Sequence, residues 1–541
     1  MAEVLLALHR SLKDVLMRGT FFRKACASVP TLGSVGSQTE KRCTRLSWAI
    51  IIVALLFGFF TRFVALSHYI SFDGDQVSNA YVRAKMLTGL LPTVGPAISF
   101  GAYHLLPLYF YLVFPFALLG PAPWLQAIPN AVCSFLTIPL IGLGMYRLLE
   151  GLPQAKRFFW GAIGALWWSF MFADIVMGTK EWIPSPVPFF ALLFALIAAG
   201  QIRTHSSDLP AFIAWAFLGV VFAIAWGLHA STLYVMPVFF LIIAIAYIVR
   251  AKTIRAVLPV SLAVLAAVVC LTPYWYGEMH RDWQNTRAII AVMRNHSATS
   301  MPDRGKNVLR AYAWLSGQVY FVGSDKIVRM GGIAFLAMII LVPLWKFRGD
   351  RTLFLTLACS WILFLGAAAN YPATMIHYKL LILTAPIFLA ISSLAFLNYA
   401  SVFERSVGAA LSLGIIASCV ANLRMDAMQE ERTFGSARLA AVSDIADAFM
   451  SIPPGSSVCH GKGSWYYIDD DMTHRQFHFI EACVPGSYEI IPAFTGANDF
   501  VYNFQNYDLA YVERTDLVPA PPLPGGSRVI EKNAVLTVLV H

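Results

Sequence analysis

The sequence predicts an α-helical polytopic membrane protein with about 11 spans and a small extracytoplasmic α/β domain at its C-terminal end. Three observations lead there. Hydrophobic residues make up 58% of the 541 and charged residues only 13%, with a mean hydropathy of +0.64, well above a soluble chain of this length. Apolar runs of roughly 20 residues, enough to cross about 30 Å of hydrocarbon, recur from Ser47 to Asn422 and then stop. From Arg424 onward the sequence is polar, with 8 Lys/Arg against 15 Asp/Glu, so that a tail of −7 leaves +17 on the remainder of a chain whose net charge is +10. A field of that sign excludes nucleic acid and anionic lipid as partners of the tail.

Residues 1–46 set Val4, Leu5, Leu8, Leu12, Val15 and Leu16 at helical spacing with Arg10, Lys13 and Arg18 between them, which predicts an amphipathic helix on the membrane surface. The basic residues run on to Arg45 and a full-length apolar segment follows, so no cleavable signal is expected. The Lys/Arg excess before Ser47 assigns this end to the cytoplasm.

The membrane part, residues 47–423, begins with Ser47–Leu66 passing outward. His104–Leu119 is apolar but short and Pro-bearing. If it crossed, Arg147, Lys156 and Arg157 would fall outside, so it reads as an interfacial or re-entrant piece within an outer loop, 67–123. Trp124–Tyr146 returns, and Phe158–Ile175, Pro184–Ile202, Pro210–Leu228, Thr232–Ile248 and Val257–Tyr276 alternate after it. Beyond a second outer loop, 277–330, come Gly331–Leu344, Thr352–Ala369, Leu380–Leu397 and Val407–Ala421. This arrangement keeps Arg250, Lys252, Arg255, Lys346, Arg348, Arg351 and Arg405 inside. The loop 277–330 breaks the rule with eight Lys/Arg against four Asp/Glu. Either the topology differs there or the loop needs cations for an anionic ligand, and the second reading is preferred.

In the tail, 424–541, Thr433–Met450 reads as an amphipathic helix, and DLAYVER, SRVIEKN and AVLTVLVH read as strands. Cys459 and Cys483 can form a disulfide if the tail lies outside the cytoplasm, whereas Cys133, Cys270, Cys359 and Cys419 sit in apolar runs as small core residues. The triple Asp469, Asp470, Asp471 lacks EF-hand spacing and reads as a solvated turn.

This topology brings Asp73, Asp75, His104, Asp174, Lys180, Glu181, His229, Glu278, His280, His377 and Lys379 to the outer ends of spans, although none of them was used to orient the helices. Loop ends are polar in general. Carboxylates, imidazoles and ammonium groups beside long apolar helices, on the face away from nucleotides, suit a transferase whose activated group is carried by a lipid phosphate. Such a reaction needs a carboxylate to take the acceptor's proton, and cations, donors or a metal to stabilise the departing phosphate.

The order of features resembles the GT-C class of membrane glycosyltransferases, the group containing protein O-mannosyltransferases and aminoarabinose transferases. An acid just after the first span, Asp73, precedes the aromatic-rich HLLPLYFYL from His104, similar to that group's first outer loop. WGLHASTLYVMP from Trp226 and TPYWYGEMHRDWQNTRA from Thr272 also look like its recurring pieces, and the resemblance covers roughly Ser47 to Leu397. It departs in having Asp73, Gly74, Asp75 where an acidic pair is common, and Pro107 alone where a proline pair follows the histidine.

The resemblance implies that Asp73 is the general base of an inverting single displacement, with Asp75 as its alternative. Either Asp also suits the N-cap of a short helix from Gln76. Asp174 is expected to orient the acceptor or a metal, or else to pair at the surface with Lys180. His104, Glu278 and His280 offer imidazole and carboxylate ligands for a divalent metal cation, the one cofactor under consideration, although their spacing is not a metal motif. Lys379, with His377 and Tyr378, opens a span and is expected to meet the lipid phosphate, or to snorkel to the interface. Lys180 is a further candidate on the donor side. Arg287 and Arg294, seven apart, share a helix face and either clamp the phosphate or are solvated. His229 is either a ligand or a buried, hydrogen-bonded core residue.

The expected function is transfer of a sugar from a polyprenyl-phosphate donor to an acceptor hydroxyl at the periplasmic face of the bacterial inner membrane, the acceptor being an envelope glycan, a lipid or a protein. The alternatives are a transporter or flippase of a lipid-linked saccharide and a subunit without activity of its own. The lack of an internal repeat weighs against a transporter built from repeated halves.

Overall fold

The computed structural model describes residues 38–64, 66, 79, 82–83, 86–87, 89–96, 103–119, 123–204, 209–295, 326–346, 383–397, 399 and 401–429, isolated positions between 306 and 320, and five short strands beyond 456. The apolar positions Val4 to Leu16 of the surface helix expected in 1–46, the span Thr352–Ala369, the helix 433–450, Cys483 and Asp469–Asp471 lie outside the described residues, while 38–46 belong to the first long helix.

Helix α1 (Gln38–Phe63) is the first span and presents Ile52, Val53, Leu56, Phe59 and Phe60 outward, as a lipid-facing helix does. The segment read as non-crossing forms α2 (Leu108–Ala117) with Pro115 inside it. Ten residues rise only about 15 Å, half the hydrocarbon thickness. A 3-10 turn at Pro123–Ala127 leads into α3 (Ile128–Leu148), followed by α4 (Gln154–Ser169) and α5 (Phe172–Gly178). Then come α6 (Val187–Thr204), α7 (Leu209–Gly227), α8 (Ala230–Ala251), α9 (Val257–Cys270), α10 (Thr272–His280) and α11 (Gln284–Asn295). Helices α12 (Lys326–Lys346), α13 (Ala385–Phe396) and α14 (Val402–Gln429) complete the helical part.

Among the described residues six helices are long and apolar enough to cross a membrane, or up to eight if each bent pair is one span. Two of the expected straight spans are broken. Phe158–Ile175 is replaced by α4 and α5, bent by 63°, and Val257–Tyr276 by α9 and α10, bent by 58°. The second break has a local cause: Pro273 has no N–H for the Val269 carbonyl, which accepts instead from the Thr272 hydroxyl at 2.7 Å. The first has neither Pro nor Gly at the bend. Asn422 of α14 accepts from the Phe172 N–H at 2.9 Å, and Arg62 of α1 donates to the Ser169 carbonyl at 3.3 Å, so side chains from two other helices satisfy the interrupted ladder.

Small residues let the helices meet closely. A Cβ on Gly219 of α7 would lie 2.0 Å from the Ala263 carbonyl of α9, so only glycine permits this crossing. At one end of the bundle Lys41, Arg42 and Arg45 are exposed at the start of α1. The Arg157 guanidinium stacks 4.1 Å over the Tyr146 ring, and Arg203 pairs with Glu150. Asp174 lies at the opposite end of α1, paired with Arg62.

In the tail, β1 (Ser457–Cys459), β2 (His478–Ile480), β3 (Leu509–Glu513), β4 (Arg528–Asn533) and β5 (Leu536–Val540) form one sheet of order β2-β1-β3-β5-β4. β1 is parallel to β2 and β3, and β5 is antiparallel to β3 and β4. The three strands expected from alternation are β3, β4 and β5.

Candidate active site: buried carboxylates beside two helix breaks

Asp73, Asp75, His377, Tyr378 and Lys379 lie outside the described residues, as does the side chain of Arg294. The flanks of the acidic stretch are described, and they end on buried polar networks.

The first network centres on Asp174 in the short helix α5. Its carboxylate is buried and accepts from Arg62 Nη2 at 2.7 Å and from the Ser134 hydroxyl, while Arg62 Nε donates to the same hydroxyl. Arg62, at the C-terminal end of α1, is itself fully buried. The surface pair of Asp174 with Lys180 is therefore not formed. The Lys180 ammonium sits 4.8 Å over the Trp182 ring, and Asp174 is matched by a cation that water does not reach.

The second network holds Glu181, an outer-end acid to which the sequence assigned no role. Asn79 donates to both of its oxygens, at 3.0 and 3.2 Å, and the Tyr109 hydroxyl donates at 2.8 Å. Asn130 of α3 donates to Tyr109 Oη at 3.0 Å and to the carbonyls of Lys180 and Trp182 at 2.8 and 3.1 Å. Asn130 and Ser134 are one turn apart on α3, so one helix backs both acids. Between them Gly178 lies against Ser134, whose Cβ would be 2.6 Å from a Cβ placed there.

The third network surrounds Glu278, fully buried in α10. One carboxylate oxygen accepts from the Thr286 backbone N–H at 2.7 Å, capping α11, and the other from Arg281 Nη2 at 3.4 Å. Arg281 also donates to Thr93 at 3.0 Å. Asn285 links α11 to the first outer loop, accepting from the His104 N–H at 2.6 Å and donating to the His104 carbonyl at 3.1 Å. Arg287 is exposed on α11.

The cation site expected of His104, Glu278 and His280 is not assembled. His104 Nδ1 donates to the Gly95 carbonyl at 3.0 Å and His280 Nδ1 to the Tyr276 carbonyl at 2.7 Å, while both Glu278 oxygens are engaged as above. Among the described residues no three His, Cys, Asp or Glu side chains come together as a metal requires. His229 is the buried, hydrogen-bonded residue of its two readings: it caps α8, accepting from the Ser231 N–H at 3.1 Å.

Chemically, each of these three carboxylates already accepts hydrogen bonds from protein donors. Groups so satisfied hold structure well and abstract protons poorly. Arg62, Asn79, Tyr109 and Asn130 were missed by the sequence reading. For Arg62 the one signal in the sequence is a basic residue in the last turn of the first apolar helix.

No family model matches the sequence, and no curated protein matches it. The fold is similar to that of solved structures. ArnT from Cupriavidus metallidurans in the apo state superposes with a TM-score of 0.55 at 11% identity, over 92% of this chain and 98% of that one. ArnT bound to undecaprenyl phosphate gives 0.51 at 13% identity over the same shares. Over most of its length the chain has a fold similar to that of ArnT.

Proposed function

We propose that this chain is an inverting glycosyltransferase that moves a sugar from a polyprenyl phosphate to an acceptor hydroxyl at the periplasmic face of the bacterial inner membrane, in modification of envelope glycan or lipopolysaccharide. The observation that carries this reading is the near end-to-end fold likeness to a protein solved with undecaprenyl phosphate. The basic end of the bundle supports a cytoplasmic assignment for the start of α1, which leaves the buried acids at the outer face.

In the reaction, an acceptor oxygen attacks the anomeric carbon as its proton passes to a carboxylate, and the C–O bond to the lipid phosphate breaks with its electron pair leaving on phosphate. With Asp174, Glu181 and Glu278 each engaged, Asp73 is the preferred base and Asp75 its alternative. Lys379 with His377 and Tyr378, and Arg287 with Arg294, are assigned to the departing phosphate, where fixed cations stabilise the developing charge. A divalent cation would supply the same stabilisation.

The test is complementation of a deletion strain, read by mass analysis of envelope glycans. Asp73→Asn and Asp73→Ala are expected to express normally and restore no modification. Wild-type modification by both would remove Asp73 from the mechanism, and export of an unmodified lipid-linked saccharide would favour a flippase.

A further inference from the structure

Lys41, Arg45, Ala49, Ile52, Leu56 and Phe60 follow one another at helical spacing along one face of α1, with Arg42, Val53 and Phe59 beside them. All nine are exposed, Leu56 and Phe60 to 66% and 63%. The opposite face is closed against α4. Thr44 and Ser47 are buried there, the Cys43 thiol donates to the Ala155 carbonyl at 3.5 Å, and the Trp48 ring meets Phe158 at 5.2 Å. We propose that the exposed face binds one anionic phospholipid, its phosphate against Lys41, Arg42 and Arg45 and an acyl chain along Ala49, Ile52, Leu56 and Phe60. The run from Ala49 to Phe60 rises about 16 Å. That is close to half of a hydrocarbon core of about 30 Å, the depth that one acyl chain fills.

Basic residues gather at the cytoplasmic ends of spans in general, and for that purpose they can point anywhere. These three differ in two respects. They share the lipid-facing side of the helix, whereas Glu40, the acid in the same turn, is half-buried on the side of Thr44 and Ser47. Their charge is also uncompensated. Among the described residues none of them is paired with an acid, while at the same end Arg203 pairs with Glu150, and Arg157 donates to the Tyr146 carbonyl and stacks on its ring. Lys156, exposed at the start of α4 and within electrostatic reach of Cys43, adds a fourth positive charge at this level. Residues 1–37 supply no counter-charge, since they hold five Lys/Arg against two Asp/Glu. An anionic headgroup at the membrane surface is the complementary partner, and a guanidinium meets phosphate oxygens through paired N–H donors. The apolar strip would hold any phospholipid, and the cations above it select for charge.

This inference is independent of the proposed reaction: its headgroup end is at the far end of α1 from Arg62, and the readout is lipid binding. The full chain, purified and delipidated in detergent, is titrated with phosphatidylglycerol or with phosphatidylcholine of the same acyl chains, and the first adduct is followed by native mass spectrometry. Phosphatidylglycerol is expected to bind at least about tenfold more tightly than phosphatidylcholine. Lys41→Gln, Arg42→Gln and Arg45→Gln together should weaken phosphatidylglycerol at least about tenfold and leave phosphatidylcholine within about twofold. The matched control, Arg250→Gln, Lys252→Gln and Arg255→Gln at the end of α8, removes the same charge and should move neither lipid by more than about twofold. If the first triple variant is not monodisperse, Arg45→Gln alone is read, with an expected loss of about fivefold.

Equal binding of the two lipids overturns the site. So does an equal loss in both triple variants, which would mean attraction to the basic end at large. Binding that appears only after deletion of residues 1–37 overturns it as well, because the chain's own N-terminal segment would then be the occupant. The outcome for Asp73→Asn bears on the reaction alone.

Discussion

Asp174 and Glu278 occupy equivalent places, each in the short limb beyond a bend of about 60° in a broken helix pair, yet they are held in opposite ways. Asp174 is matched by Arg62 from 112 residues away, and its bend is capped by Asn422 from another helix. Glu278 is matched by its own neighbourhood, Arg281 and Thr286, and its bend follows from Pro273. The first bend is made by tertiary partners and the second by local chemistry. Removing a partner should therefore hurt the first far more than the second.

The largest effect is expected for Arg62→Ala, which strands a buried carboxylate and should destabilise the protein by about 3–5 kcal/mol in detergent unfolding. Adding Asp174→Ala should recover a good part of the loss, and simple additivity of the two would show that the pair is not coupled. Asn422→Ala should follow at about 1–3 kcal/mol, since it frees the Phe172 N–H and removes a donor from the Tyr320 carbonyl. If it costs nothing, the first bend does not depend on its cap.

On the local side, Glu278→Gln keeps an acceptor for the Thr286 N–H and loses only the charge, for an expected cost of about 1 kcal/mol. Arg281→Ala should be the smallest, below about 1 kcal/mol, because its side chain is 35% exposed and 3.4 Å from the carboxylate. An Arg281 effect as large as that of Arg62 would erase the contrast between the two bends.

The same contrast decides what could be read beforehand. Span positions follow from runs of apolar residues, so α1, α3, α6, α7 and α8 lie where hydropathy puts them. The non-crossing reading of 104–119 rests on its length and on the charges after it, and α2 is indeed a short apolar helix of ten residues. β3, β4 and β5 alternate visibly, whereas β1 and β2, three residues each, are too short to show a period. Of the site, Asp174 stands out in the sequence but invites the wrong partner, because Lys180 is near in sequence and Arg62 is not. Glu181 stands out too, but nothing near it in sequence points to Asn79 or Tyr109. Asn79, Tyr109 and Asn130 carry no charge at neutral pH and leave no mark in a count of charged groups.

Residue order alone establishes that the chain is a membrane protein, where most of its helices run and which of their ends are basic, because burial in hydrocarbon is decided residue by residue by transfer free energy. Folding in three dimensions was needed to settle which acids are already engaged, that the break before α5 exists, and that Arg62 and Asn79 reach Asp174 and Glu181. Those facts depend on pairings between groups a hundred residues apart, and whether a carboxylate stands free or tied is settled by the partner that folding brings to it.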